Sequence, residues 1–290
     1  MSILEGIKAV VFDMDGVIRI GDKKIDGAET IFEQLNSKNI KTMIVTNECR
    51  YTVKELKNDL CEMGVSIPQT TQIITPGLMI FEYLEKKIIK NPQEQFYIGV
   101  IGENGLHVNI NNLNKYPNVK VSSEPPENIN NRQFTYLIVG TVNRIKMCTL
   151  DKGLNWAKAK AKIITTCNDV SDPNSKGDFN IGMPNHILHI LNFTIKTNSY
   201  SLGKPSPFIA KKIHKELELS NPNEILFIGD TLYTDIQFAE ESEFKSLLVL
   251  SGNTKKEGVK SYVTEADLIL PSIKDLYKIL VKRMNPSSPI

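Results

Sequence analysis

The chain has no long hydrophobic run. None of its apolar stretches approaches the length that spans a bilayer, and the opening residues Met1-Ser2-Ile3-Leu4-Glu5 lack the basic region and apolar core of a secretory signal. A cytoplasmic protein without a membrane partner is expected. Neither sign of charge dominates: 35 Lys and Arg face 33 Asp and Glu, for a formal net charge of +2. The basic residues are dispersed among acids, so nothing calls for nucleic acid as a partner. Cysteine is sparse. Cys49, Cys61, Cys148 and Cys167 have neither the paired spacing of a zinc site nor the density of a disulfide framework, and four free thiols are expected. The four histidines form no ligand pattern; His186 and His189 are spaced to share a helix face, an ordinary surface arrangement. No internal repeat of fixed period is present.

What remains is the composition of a globular protein, 41% hydrophobic and 23% charged, in a chain long enough for one large domain or two modest ones. Two are expected. The first part alternates strand and helix: Ala9 to Asp15, Ala28 to Leu35, Lys41 to Thr46, then Val53 to Met63 before Gly64 and Pro68. The last part repeats the alternation with Ile225 to Asp230, Asp235 to Glu241, Ser246 to Leu250, Leu268 to Leu270 and a helix near Lys274 to Lys282. Such βα order argues for a parallel sheet. Between them lies a second alternating block, with strands near Phe96 to Ile101, Tyr136 to Val142 and Ile163 to Thr166, and helices near Leu78 to Lys87 and Cys148 to Ala161. Asn109 to Asn114 and Ser122 to Arg132 read as loops. The expectation is an α/β protein whose Rossmann-like core is split into residues 1–77 and 198–290, with a second α/β domain at 78–197 inserted between them.

Four segments carry chemistry. In the first, the apolar run Ala9-Val10-Val11-Phe12 ends in Asp13-Met14-Asp15-Gly16. A continuous apolar run fits a strand covered on both faces, and in open α/β sheets ligands bind beyond the carboxyl ends of the strands. Asp13 and Asp15, two apart on an extended chain, converge on one side; Asp and Gly are also ordinary turn formers. The second is Thr46-Asn47, where a strand discharges a hydroxyl and an amide before a helix. That place suits an anion, and equally a helix cap. In the third, Gly203-Lys204-Pro205, rigid flanks hold a lysine just before the helix Phe208 to Leu217, which favours a positioned point charge of the kind that binds phosphate. In the fourth, the apolar strand Ile225 to Gly229 ends in Asp230, with Asp235 following where an acid also suits a first helical turn. Carboxylates at neighbouring strand ends repel one another, and a hard divalent cation is the natural compensation.

Together these segments resemble the haloacid dehalogenase superfamily of phosphotransferases, and within it the capped subgroup similar to 4-nitrophenylphosphatase, NagD-like and phosphoglycolate-pyridoxal phosphatases. The resemblance implies a magnesium-dependent phosphatase for a small phosphorylated metabolite. By it, Asp13 is the nucleophile that becomes a phosphoaspartate and Asp15 the general acid and base. Thr46, Asn47 and Lys204 hold the phosphoryl group. Asp13, the main-chain carbonyl of Asp15, and Asp230 ligate magnesium, and Asp235 supports the site. Burial or neighbouring charge should raise the pKa of Asp15. Thr166-Cys167-Asn168-Asp169 resembles the cap segment that faces the site, which makes Asn168 and Asp169 candidates for leaving-group recognition, and the likeness also suggests a homodimer formed through the cap.

The chain departs from the family pattern at Glu48-Cys49-Arg50, which puts a carboxylate near an anion site unless Arg50 compensates. Cys49 is read as an inert small residue beside a redox-sensitive alternative. The same core motifs would serve a phosphomutase, and a catalytically weak phosphate binder or a phospho-signalling module are the readings from other classes. A dehalogenase would have no use for Asp15.

Overall fold

The computed structural model describes residues 5–69, 71–127, 132–173, 179–197, 199–261 and 263–284. In chain order the elements are β1 (Ala9–Phe12), the short antiparallel pair β2 (Arg19–Ile20) and β3 (Lys23–Lys24), α1 (Ala28–Asn36), β4 (Lys41–Val45), α2 (Val53–Glu62), β5 (Gln72–Ile74) and α3 (Pro76–Lys90). Next come β6 (Gln95–Ile101), α4 (Asn104–Asn111), β7 (Val119–Val121), β8 (Gln133–Val139), α5 (Met147–Lys158), β9 (Lys162–Thr165), the antiparallel pair β10 (Ser171–Pro173) and β11 (Phe179–Ile181), α6 (Met183–Thr194) and β12 (Ser199–Ser201). The chain ends with α7 (Pro207–Leu217), β13 (Ile225–Gly229), α8 (Gln237–Glu241), β14 (Lys245–Val249), β15 (Leu268–Leu270) and α9 (Ile273–Met284).

Two parallel sheets result. The first runs β15-β14-β13-β1-β4-β5, so strands from the last part of the chain flank β1 on one side and strands from the first part on the other; the second runs β12-β9-β8-β6-β7. The fold is α/β with a Rossmann-like layer, as the alternation predicts. In β1, Ala9 and Val11 enter one apolar cluster and Val10 and Phe12 the other, and all four are fully buried. A strand covered on both faces therefore reads as an unbroken apolar run. The cluster on the Val11 face does not stop at the first sheet. It continues through Ile80 and Leu84 of α3 and Ile209 and Ile213 of α7 to Phe96, Ile98, Tyr136 and Ile138 of the second.

Local chemistry sets the helix starts. Thr52 and Glu55 form a reciprocal capping box on α2, and the Thr75 hydroxyl caps α3, whose first residue is Pro76. Three expectations need correction. Asn109 to Asn114 is not a loop: it lies in α4 and the 3₁₀ turn Asn112–Lys115, because Leu106, Ile110 and Leu113 bury one face while the asparagines take the other. The strand expected to reach Val142 ends at Val139, before Gly140. Thr46-Asn47 does not open a helix, since α2 begins only at Val53. Part of the expected loop at Ser122 to Arg132 lies outside the described residues. No helix among the described residues is long and apolar enough to cross a membrane.

Candidate active site

Three strand ends supply the site. The residue after β1 is Asp13, the residue after β13 is Asp230 and the residue after β4 is Thr46. Because β1 lies between β13 and β4, these side chains emerge next to one another at the carboxyl edge of the sheet, where consecutive connections diverge and ligands bind. Lys204 arrives from the loop between β12 and α7. It is 2% exposed, and its Nζ donates to Asp13 Oδ1 at 2.6 Å and to Asp235 Oδ1 at 2.7 Å. The second oxygen of Asp235 accepts from the backbone N–H groups of Asp230 and Thr231 at 3.0 and 3.1 Å, so one buried carboxylate fixes both the lysine and the turn after β13. That turn is a single π-helical one, Leu232–Ile236, rather than the start of an ordinary α-helix.

The arrangement needs a bare backbone at Gly229, where a Cβ would overlap the Asp235 carboxylate. Gly229→Ala is expected to cost about 1–3 kcal/mol, the usual price of overpacking, and to lower the melting temperature by about 2–4 °C for each of them. Thermal unfolding of the purified variant measures it; an unchanged midpoint would mean that the Asp235 turn is free to yield.

Negative charge dominates the pocket. Oxygens of Asp13, Asp230 and Asp235 lie within 4.8 Å of one another, all three residues buried. Burial, and then the charge of Asp235, push Asp230 up to about 8. Asp13 is also pushed well above the usual carboxylate range, by burial first and by Asp235 and Asp230 next, against the pull of Lys204. One ammonium among three carboxylates leaves the cluster short of positive charge, and an all-oxygen donor set of this kind suits a hard divalent cation. Asp235 already accepts from Lys204 and from two backbone N–H groups, three bonds against one for Asp13 and two for Asp230, so the latter two keep more acceptor capacity for a metal. Asp230 is itself oriented by the Thr231 hydroxyl at 2.9 Å and the Asn253 N–H at 2.5 Å.

Asp15 lies at the mouth of the cleft. Gly16, at φ +86°, turns the chain so that Arg19 comes back to Asp15, Nε to Oδ1 at 2.9 Å. Burial raises the Asp15 pKa, Arg19 opposes it and the nearby Glu48 charge adds to it, in the direction that the sequence leads one to expect. Glu48 itself is matched: Arg50 grips it through Nε, at 3.0 Å to each oxygen, and through Nη2 at 2.5 Å.

Thr46 is buried, and its hydroxyl oxygen accepts from Glu48 N–H at 3.0 Å, leaving the hydroxyl proton for a ligand. Asn47 is differently employed. Its Nδ2 donates to Asp169 at 2.8 Å and its Oδ1 accepts from Lys204 N–H at 2.8 Å, so its side-chain amide ties three chain segments together beside the cleft. Asp169, from the loop after β9, lines the cleft and is pushed up by burial. Asn168 is exposed and does not line the cleft, because alternation along this extended stretch sends it outward between Cys167 and Asp169.

The whole cleft has a volume of about 1010 Å3 and is walled on its far side by Thr141, Val142, Asn143 and Met183 from the second-sheet layer. Cys49 is structural: burial pushes its thiol up, the sulfur donates to the Thr166 hydroxyl and accepts from Thr141 N–H. All four cysteines are free. Arg19 and Asn253 were not legible as site residues: Asn253 lies in the loop after β14, beyond the strand's end at Val249, and not directly at a strand end as Asp13 and Asp230 do.

Comparison with known proteins agrees with this geometry. A family model described as haloacid dehalogenase-like hydrolase matches residues 10–114, and a second, described as HAD-hydrolase-like, matches residues 201–276. The chain is 25% identical over 281 residues to an acid sugar phosphatase of Staphylococcus saprophyticus, covering 96% of this chain and all of the relative. It is 26% identical over 270 residues to the sugar-phosphatase AraL of Bacillus subtilis, covering 93% and 92%. Among solved structures, the 4-nitrophenylphosphatase of Thermotoga maritima superimposes with a TM-score of 0.79 at 21% identity, over 96% of this chain and 99% of that one.

Proposed function

Because the chain belongs to the haloacid dehalogenase-like hydrolases, we propose that it is a phosphomonoester hydrolase that works on a small polar metabolite, a sugar phosphate in the first instance, through a phosphoaspartate on Asp13. A carboxylate oxygen of Asp13 attacks phosphorus while the bond from phosphorus to the ester oxygen breaks. Asp15 gives its proton to that oxygen, so the alcohol leaves neutral. Water then attacks the phosphoaspartate, Asp15 takes the proton, and inorganic phosphate departs with Asp13 restored. The raised pKa of Asp15 supports the first of these duties.

Lys204 and Thr46 hold the phosphoryl oxygens, one as a point charge and the other as a hydroxyl donor. Asp235 positions Lys204. Asp13, Asp230 and the main-chain carbonyl of Asp15 would hold magnesium, which would supply neutralisation of charge on the phosphoryl group. Residues 78–197 act as a cap inserted between core segments 1–77 and 198–290, and Asp169 comes from the cap to the leaving-group side. The setting we propose is cytoplasmic, in keeping with four free thiols.

The observation that carries the reading is the convergence of Asp13, Lys204, Asp235 and Asp230 at adjacent parallel strand ends. The one feature that favoured a silent phosphate binder, Glu48, is matched by Arg50. The deciding assay is phosphate release from p-nitrophenyl phosphate and from a panel of sugar phosphates, phosphoglycolate, nucleotides and pyridoxal phosphate, with magnesium and with chelator. Turnover that needs the metal is expected. A folded protein that releases phosphate from none of them would end the hydrolase reading.

A further inference from the structure

A second cavity, of about 510 Å3, lies in the second-sheet layer. Its position follows from topology. In the order β12-β9-β8-β6-β7, the connection after β6 leads toward β7 and the connection after β8 leads the other way, to β9. The carboxyl ends of β6 and β8 thus frame the switch point of this sheet, the place where a parallel α/β layer forms a crevice for a ligand. Gly102 and Glu103 after β6, and Arg144 and Lys146 after β8, line the cavity there.

Its walls are asymmetric. The floor is apolar, with Val121, Leu137 and the buried indole of Trp156, 1% exposed, which lies against Gly99 where a Cβ would collide with the ring. The rim carries Arg144, Lys146 and Lys152, all exposed, and among the described residues none of the three is paired with a carboxylate. The only acid in the lining, Glu103, accepts a hydrogen bond from Asn143 N–H at 2.7 Å. The volume lies in the range of small-molecule pockets.

We propose that this cavity binds a small organic anion of the phosphate type, with its charged group on the Arg144, Lys146 and Lys152 rim and its body over the apolar floor that Trp156 underlies, as a site separate from the cleft of Asp13. The two sites share a loop. Val142 lines both cavities, and Asn143 is held on one side by Glu103 and on the other by Arg50, whose Nη1 donates to Asn143 Oδ1 at 3.3 Å. Arg50 is the residue that neutralises Glu48, so an occupant that moves this loop acts on the substrate side of the cleft.

Trp156 is the chain's only tryptophan, so its fluorescence reports on this cavity directly and without reference to turnover. The probe is phenylphosphonate, an aromatic dianion whose carbon–phosphorus bond a phosphomonoesterase does not cleave. Titrated into the full-length protein, it should give a saturable change in tryptophan emission, and neutral benzyl alcohol should not. In an Arg144→Ala, Lys146→Ala, Lys152→Ala protein the half-saturation concentration should rise at least about tenfold, the loss expected for charge-assisted hydrogen bonds, while p-nitrophenyl phosphate turnover without the probe is unchanged. Absence of a saturable signal overturns the proposal. So does a signal that persists in the triple variant and tracks inhibition of turnover, which would put the probe in the Asp13 cleft.

Discussion

An Asp13→Asn protein should fold, bind phosphorylated substrate and release phosphate at least about 10⁴-fold more slowly than the parent, the scale of loss seen when a nucleophile is removed. The substitution keeps the shape of the side chain and removes the negative oxygen that forms the new bond to phosphorus. No phosphoenzyme should accumulate on acid quenching, whereas the parent should yield one. Misfolding would not account for the loss. The amide oxygen can still accept from Lys204, which also keeps its pair with Asp235. The melting temperature should therefore stay close to the parent's. Undiminished turnover would remove Asp13 from its role.

Lys204→Met should be damaging in both respects. The lysine ion-pairs with Asp13 and Asp235 in a buried setting, and removing one partner of such a group leaves charge uncompensated, at a cost of about 3–5 kcal/mol. Turnover should fall with it, since Lys204 is the cationic side chain bonded directly to Asp13 among the described residues. The deficit should depend on pH in a definite direction. Without Lys204, the folded-state pKa of Asp13 rises further above the unfolded value of about 3.9. The folded protein then binds more protons than the unfolded one, so stability is greatest below that value and is lost as the pH climbs through the folded-state pKa of Asp13. Thermal unfolding of variant and parent at pH 5 and pH 8 checks this: the gap should widen at pH 8. An equal gap at both would mean that packing by the lysine stem, and not its charge, is what the fold loses.

The parts of the site that were legible in the sequence share one physical origin. Asp13 and Asp230 each follow an apolar run that is buried on both faces, and a buried parallel strand must deliver its next residue to the carboxyl edge. Lys204 was legible because glycine and proline confine it. Arg19 was not, because its approach to Asp15 depends on a left-handed turn at Gly16 that composition does not announce. Asn47 was found in the right place, but the partners of its side chain were not legible: only the arrival of Asp169 and the Lys204 backbone decides where that amide is used. In the fold, α4 escaped notice because its asparagines read as loop, while the apolar residues at Leu106, Ile110 and Leu113 that bind it to the core are too few to signal a helix alone. The edge strand β7 is three residues long and offers no period to read.

The apolar cluster that runs from β1 through α3 and α7 to β6 and β8 bears on how the molecule comes apart. Neither sheet has an interior of its own on that side, so melting one would strip the covering from the other. Heat should therefore produce a single cooperative calorimetric transition rather than two steps, and limited proteolysis should yield no durable fragment corresponding to one half. Excision of residues 78–197 with a short joining loop would remove Ile80 and Leu84 of α3 from the cluster that Ile209 and Ile213 of α7 share with them, and such a fragment should aggregate rather than persist as a smaller enzyme.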